Sequence, residues 1–173
     1  MASGQIFVMV ACPPATAFAL EDIYNGTSTG GVNGGDESVP VWTFNAATSE
    51  TMDFYGRLAG YGAGGLTLTG SWVCTTTATV NTANWRAAFR RVNADNEDLT
   101  LSQAYDFNLA TDDQALIGRV SDFSITFTNG ADMDSVANND AFIMRFQRLA
   151  TATGDTTTSN AYLLQGAITL KET

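Results

Sequence analysis

Carboxylates are the side chains of this chain with the most chemistry to offer. Hydrolysis of a glycosidic bond needs two of them held across a sugar, and the candidates are Asp53, in a strand-like run, with Glu97 or Asp106. Nothing in their spacing sets the separation. Acids number eighteen against eight Lys and Arg, and in a chain of pI about 4.1 most of them serve a solvated surface. The absence of histidine excludes Ser-His-Asp and Cys-His nucleophilic sites and the zinc sites that use histidine. Two cysteines, Cys12 and Cys74, cannot supply a four-thiolate zinc. The expectation is a non-enzymatic protein with no catalytic residue, no cofactor and no metal.

Other constellations have ordinary explanations beside the functional ones. Asn93, Asp95 and Glu97 alternate like the start of a calcium loop, and Asp132, Asp134, Asn138 and Asp140 crowd another. Both lack the central glycine and terminal glutamate of the EF-hand, and turn-forming Asp and Asn account for them without an ion. Arg86, Arg90 and Arg91 could grip a partner's carboxylates bidentately or pair with acids on the next strand of their own sheet. Tyr55, Tyr61 and Trp42 could stack on sugars or pack into a core or subunit interface. The GYGAGG run, 60–65, does not lie between a strand and a helix, so it is no dinucleotide site.

The elements that must position these groups read as β throughout. Leu66, Leu68, Gly70, Trp72 and Cys74 share one face at period two, as do Trp85, Ala87 and Phe89. This predicts a hairpin with a threonine-rich loop, its aromatic side on the core and its guanidinium groups in water. On that face Cys74 is a small buried hydrophobe. Further strands are expected at 41–45, 52–58, 116–120, 123–127, 141–149 and 161–170, with Gly166 a possible bulge in the last. The segment 99–110 carries only a weak pattern, that of a short helix or an irregular crossing. Asp112 and Asp113 mark a turn. Charged residues make up only 15% of the chain, against an average near 25%, and Thr, Ser, Asn and Gly take their place. That composition suits a pleated surface and tight turns. The fold class is all-β: a two-sheet antiparallel sandwich, preferably a jelly roll, with an extended N-terminal arm. The length of 173 residues fits one such domain. Residues 1–38 form the arm and a glycine-rich linker, and 39–173 form the sandwich.

A net charge of −10 repels phosphate backbones, so no direct nucleic-acid partner is expected. No apolar run approaches the ~18 residues of a membrane span, so no membrane partner is expected either. IFVMVAC, 6–12, is superficially like a short signal core, with Cys12 placed as in a lipoprotein. The first positive charge, however, is Arg57; with no basic leader, the segment reads as a strand.

Four runs carry a resemblance: VPVWTFNAATSETMDFYGRL, GGLTLTGSWVCTTTATVNTANWRAAFRRV, the stretch from ADMDS through NNDAFIMRFQRL, and the closing DTTTSNAYLLQGAITLKET. In their order they resemble small jelly-roll structural proteins of tailed bacteriophage virions, with the likeness spanning the body from Val39 to Thr173. The resemblance implies a capsid decoration or cement protein made in the host cytoplasm, a homotrimer that binds the major capsid protein. The N-terminal residues Gln5, Ile6, Phe7, Val8, Met9 and Val10 are the expected capsid or subunit contact, because a free strand can add to a neighbour's sheet edge. The contrasting expectation is a carbohydrate- or receptor-binding head of a head fibre or tail accessory protein.

Overall fold

The computed structural model describes residues 4–12, 22–25, 38–75, 81–92, 104–114 and 118–173. Its strands are β1 (Ile6–Phe7), β2 (Met9–Cys12), β3 (Asp22–Asn25), β4 (Ser38–Phe44), β5 (Glu50–Arg57), β6 (Leu66–Cys74), β7 (Asn81–Val92), β8 (Asn108–Gln114), β9 (Ser121–Phe127), β10 (Ala141–Arg148), β11 (Ala161–Leu164) and β12 (Thr169–Glu172). They form a two-sheet antiparallel jelly-roll sandwich. The seven-stranded sheet runs β1-β12-β6-β11-β4-β3 with β9 also on β6, and the five-stranded sheet runs β2-β5-β10-β7-β8.

Alternation explains the layering. Phe123, Ile125 and Phe127 are buried while Asp122, Ser124 and Thr126 are exposed, so β9 can only lie with one face on a core. The core is aromatic at its centre. Trp85 stacks on Phe146 (5.2 Å between centroids, 15° between planes) and on Phe123 (5.5 Å, 25°), and meets Trp72 and Phe44 edge-on. Phe123 lies so close to Gly70 that a Cβ there would collide with its ring, which is why a glycine interrupts the apolar face of β6.

One end is tied by an arginine. Arg148 is fully buried with Asp155, donates to both of its carboxylate oxygens (3.0 and 3.1 Å), and reaches the carbonyls of Phe44, Asn45, Thr157 and Ser159. The clamp joins β10 of one sheet to the end of β4 in the other.

Several expectations are corrected. β6 and β7 are not a hairpin, since β6 pairs with β9, β11 and β12 while β7 pairs with β8 and β10. Each has one apolar face, and facing each other across the core buries both. The final strand is broken in two by a 3-10 turn over Gln165–Ala167, around the glycine read as a bulge. Asp112 and Asp113 lie within β8 rather than in a turn, and the described part of 99–110 contains no helix.

The arm joins the body early. Ile6 and Phe7 pair with Lys171 and Leu170 in one sheet, and Met9 to Cys12 pair with Gly56 to Asp53 in the other. The first strand thus crosses from sheet to sheet at Val8 and closes one side of the sandwich. Asp22–Asn25 also pairs with β4. Pro13-Pro14 and most of the glycine-rich linker lie outside the described residues.

Candidate functional site

The outer face of the five-stranded sheet holds the groups with chemistry left to spend. Three strands supply it, because positions two apart on β5, β10 and β7 point the same way. Asp53 pairs across to Arg145, and Gln147 to Arg86. Arg145 donates from Nε to Asp53 Oδ1 and from Nη2 to Oδ2, both at 2.8 Å, a bidentate fork. Those bonds hold the Arg145 proton more tightly than in an ordinary arginine, despite partial burial. Arg86 donates from Nε to Gln147 Oε1 at 2.7 Å, and loss of hydration lowers its pKa.

Two rings complete the face. The chain entering β8 crosses over these strands, and its alternation turns Tyr105 and Phe107 toward the sheet while Ala104 and Asp106 stay exposed. The Arg86 guanidinium carbon lies 3.9 Å from the Phe107 ring centre, and that of Arg145 lies 4.3 Å from the Tyr105 ring centre. The rings are 6.0 Å apart and tilted by 35°. Asn108 pins the crossing, donating to the Thr126 carbonyl at 2.7 Å and to Asp132. Asp132 also accepts from the Thr128 N–H, and these bonds hold its carboxyl below the usual range. Beside the Arg145–Asp53 pair opens a cavity of about 250 Å³, lined by Cys12, Thr51, Asp53 and Arg145.

A second surface lies along the first strand. Ile6, Val8 and Val10 are 65%, 81% and 61% exposed, and Tyr55, the register partner of Val10, is 45% exposed. The other side of the same strand goes inward, with Phe7 buried edge-on against Tyr61 and Met9 packed on the core. Gln5 donates to the Ala59 carbonyl. The six residues expected to meet a partner therefore divide, three facing solvent and three engaged by their own chain.

The remaining sequence candidates separate. Asp53 is engaged by Arg145, Asp106 is exposed, and Glu97 lies outside the described residues, as do Asn93 and Asp95. In the other acidic loop the groups cap backbone. Asp134 accepts from the Arg91 N–H, Asp140 from the Ala137 N–H, and Asn138 from the Gly60 N–H. Arg91 pairs with Asp140 at 2.7 Å. Arg90 is buried rather than hydrated. Tyr61 belongs to the core, where its hydroxyl donates to Asn129 and accepts from Gly65 N–H, and Trp42 packs edge-on to Phe54. The GYGAGG bend is held by Glu172, which accepts from Gly62 and Gly64. Both cysteines are free thiols, Cys12 exposed and Cys74 buried.

Tyr105 and Phe107 escaped the sequence reading. Their one signal is the alternation AYDFN, which matches a strand-like crossing but sits in an otherwise weak pattern.

No protein-family model matches the chain, and no curated protein does. Among solved structures it is similar to the CBM22-2 xylan-binding domain of Paenibacillus barcinonensis Xyn10C, at 9% identity and TM-score 0.49 over 95% of this chain and 91% of that one. It is also similar to the CBM22-1–GH10 modules of Clostridium thermocellum endo-1,4-beta-D-xylanase 10B, complexed with xylohexaose, at 12% identity and TM-score 0.44. There the match covers all of this chain but 29% of the other. Likenesses this distant identify neither a family nor a ligand for this chain.

Proposed function

We propose that this chain is a non-catalytic virion surface protein that binds a saccharide on the outer face of its five-stranded sheet. The observation that carries the binding half is the pair of rings, Tyr105 and Phe107, each backed by a guanidinium group. Flat apolar rings beside fixed planar hydrogen-bonding groups suit a ligand with one C–H face and many hydroxyls. The virion half comes from the resemblance of the four sequence runs to tailed-phage structural proteins. The test is affinity electrophoresis of the full chain through gels containing polysaccharides. Saturable retardation that Tyr105→Ala weakens roughly tenfold supports the reading, and free migration through every gel overturns it.

A second reading, decoration or cement protein, is favoured by the exposed stripe of Ile6, Val8, Val10 and Tyr55. Contiguous apolar surface of this kind suits a protein neighbour, either the major capsid protein or another copy in a homotrimer. Fully burying an aliphatic side chain is worth about 1.5–3 kcal/mol, while association costs about 4–15 kcal/mol in lost freedom. Three such residues would form the centre of a larger interface rather than the whole of one. Light scattering behind a sizing column tests it: a trimer that Val8→Lys converts to monomer supports self-association, and a monomer confines assembly to the particle. A monomer that also fails to bind bare capsids overturns this reading.

A further inference from the structure

We propose that the ligand of the five-stranded face is a carboxylate-bearing saccharide of the uronic-acid type, its carboxylate held by Arg86 and its rings by Phe107 and Tyr105. The inference deepens the saccharide reading above and rests on it.

The two guanidinium groups of the platform are in different states. Arg145 already has its anion, since Asp53 takes two of its hydrogen bonds. Among the described residues Arg86 has only neutral company: the Gln147 amide oxygen on Nε and the Phe107 ring against its face. It is half-buried, and desolvation weakens its hold on the proton. A cation stripped of part of its water without a counter-charge is unfavourable until an anion arrives. The group is also set in place before any ligand comes. One nitrogen is tied to Gln147 and the plane is fixed against Phe107, which leaves the two terminal nitrogens as a preformed fork of the kind that matches a carboxylate.

The rings decide between anions. With a guanidinium against one side of Phe107 and another against Tyr105, the opposite ring faces turn away from the sheet. A uronic acid presents a C–H face to such rings and carries its carboxylate at the edge, within reach of the fork. An acidic peptide supplies the carboxylate but no flat apolar face to lie on two rings 6.0 Å apart.

The net charge of −10 opposes any polyanion. The opposition is long-range, and at about 0.1 M salt the screening length is only about 10 Å. A bidentate contact is far shorter than that. Moderate salt should therefore remove the repulsion before it weakens the contact, so that affinity rises and then falls with ionic strength.

The experiment is affinity electrophoresis of the full chain against polygalacturonate, a neutral xylan and dextran sulfate, with Arg86→Gln and Arg86→Lys alongside and circular dichroism to confirm that each variant is folded. The expected result is retardation by polygalacturonate that weakens about 10- to 100-fold in Arg86→Gln, with Arg86→Lys between. Retardation by neutral xylan alone overturns the inference and leaves the saccharide reading standing. Equal retardation by dextran sulfate, or polygalacturonate binding that Arg86→Gln leaves intact, also overturns it. No retardation by any polysaccharide overturns both.

Discussion

Arginine is used in two opposite ways in this sandwich. Arg148 at the closed end is wholly buried, spends its donors on Asp155 and four carbonyls, and ties the two sheets together. Arg86 and Arg145 on the five-stranded face are partly exposed, lie against aromatic rings, and among the described residues each hydrogen-bonds one side chain. A guanidinium with every donor satisfied can only hold structure. One with donors to spare and a fixed orientation is poised to hold something else. Among the described residues, the strands of the other sheet carry no arginine. There Thr67 faces Thr126, Thr69 faces Ser124, and Ser71 donates to Asp122, so that β6 and β9 meet on the outer face of that sheet through small hydroxyls.

The contrast can be broken first at the clamp. Arg148→Met leaves the Asp155 carboxylate buried without its partner, and a loss of about 3–5 kcal/mol is expected from chemical denaturation. A loss under about 1 kcal/mol would mean that the clamp is no more structural than a surface pair.

On the face the balance reverses. Tyr105→Ala removes one ring from the platform, with an expected stability change under about 1 kcal/mol. Saccharide binding should weaken by roughly tenfold, about 1.4 kcal/mol. Denaturation and affinity electrophoresis on the same preparation separate the two effects. Unchanged binding would move the site off the rings.

A smaller effect sharpens how the face is anchored. The hydrogen bonds from Thr128 and Asn108 depress the Asp132 pKa, so the folded state releases that proton more readily than the unfolded chain. The stabilisation is present in full above the unfolded value of about 4, and it is lost as pH falls through the lower folded value. The acid limb of thermal stability should therefore flatten in Asp132→Asn. An unchanged limb would show that the Asn108 anchor does not depend on the charge.

The smallest change belongs to the hydroxyl face. Ser124→Ala should alter stability by no more than about 0.5 kcal/mol and leave binding untouched. A measurable loss of binding would place a ligand surface on the seven-stranded sheet as well.

Much of the sandwich was legible in the chain. The period-two faces of Leu66, Leu68 and Trp72 and of Trp85, Ala87 and Phe89 named both the strands and their inward faces. The site was legible only in fragments. Asp53 and Arg86 stood out, but Asp53 as half of a hydrolytic pair and Arg86 as a hydrated charge. Tyr105 and Phe107 did not stand out, because what makes them a platform is an arginine on another strand beneath each ring. Nor did Arg148, whose partners are mostly backbone carbonyls that no side-chain pattern records.

Side-chain direction along a strand is a local property, so period-two patterning was enough to establish that strands with one apolar face must stack as two sheets. Which strand lies beside which depends on contacts far apart in sequence. It took the folded chain to send β6 and β7 to opposite sheets, to carry the first strand across both, and to lay Phe107 over Arg86.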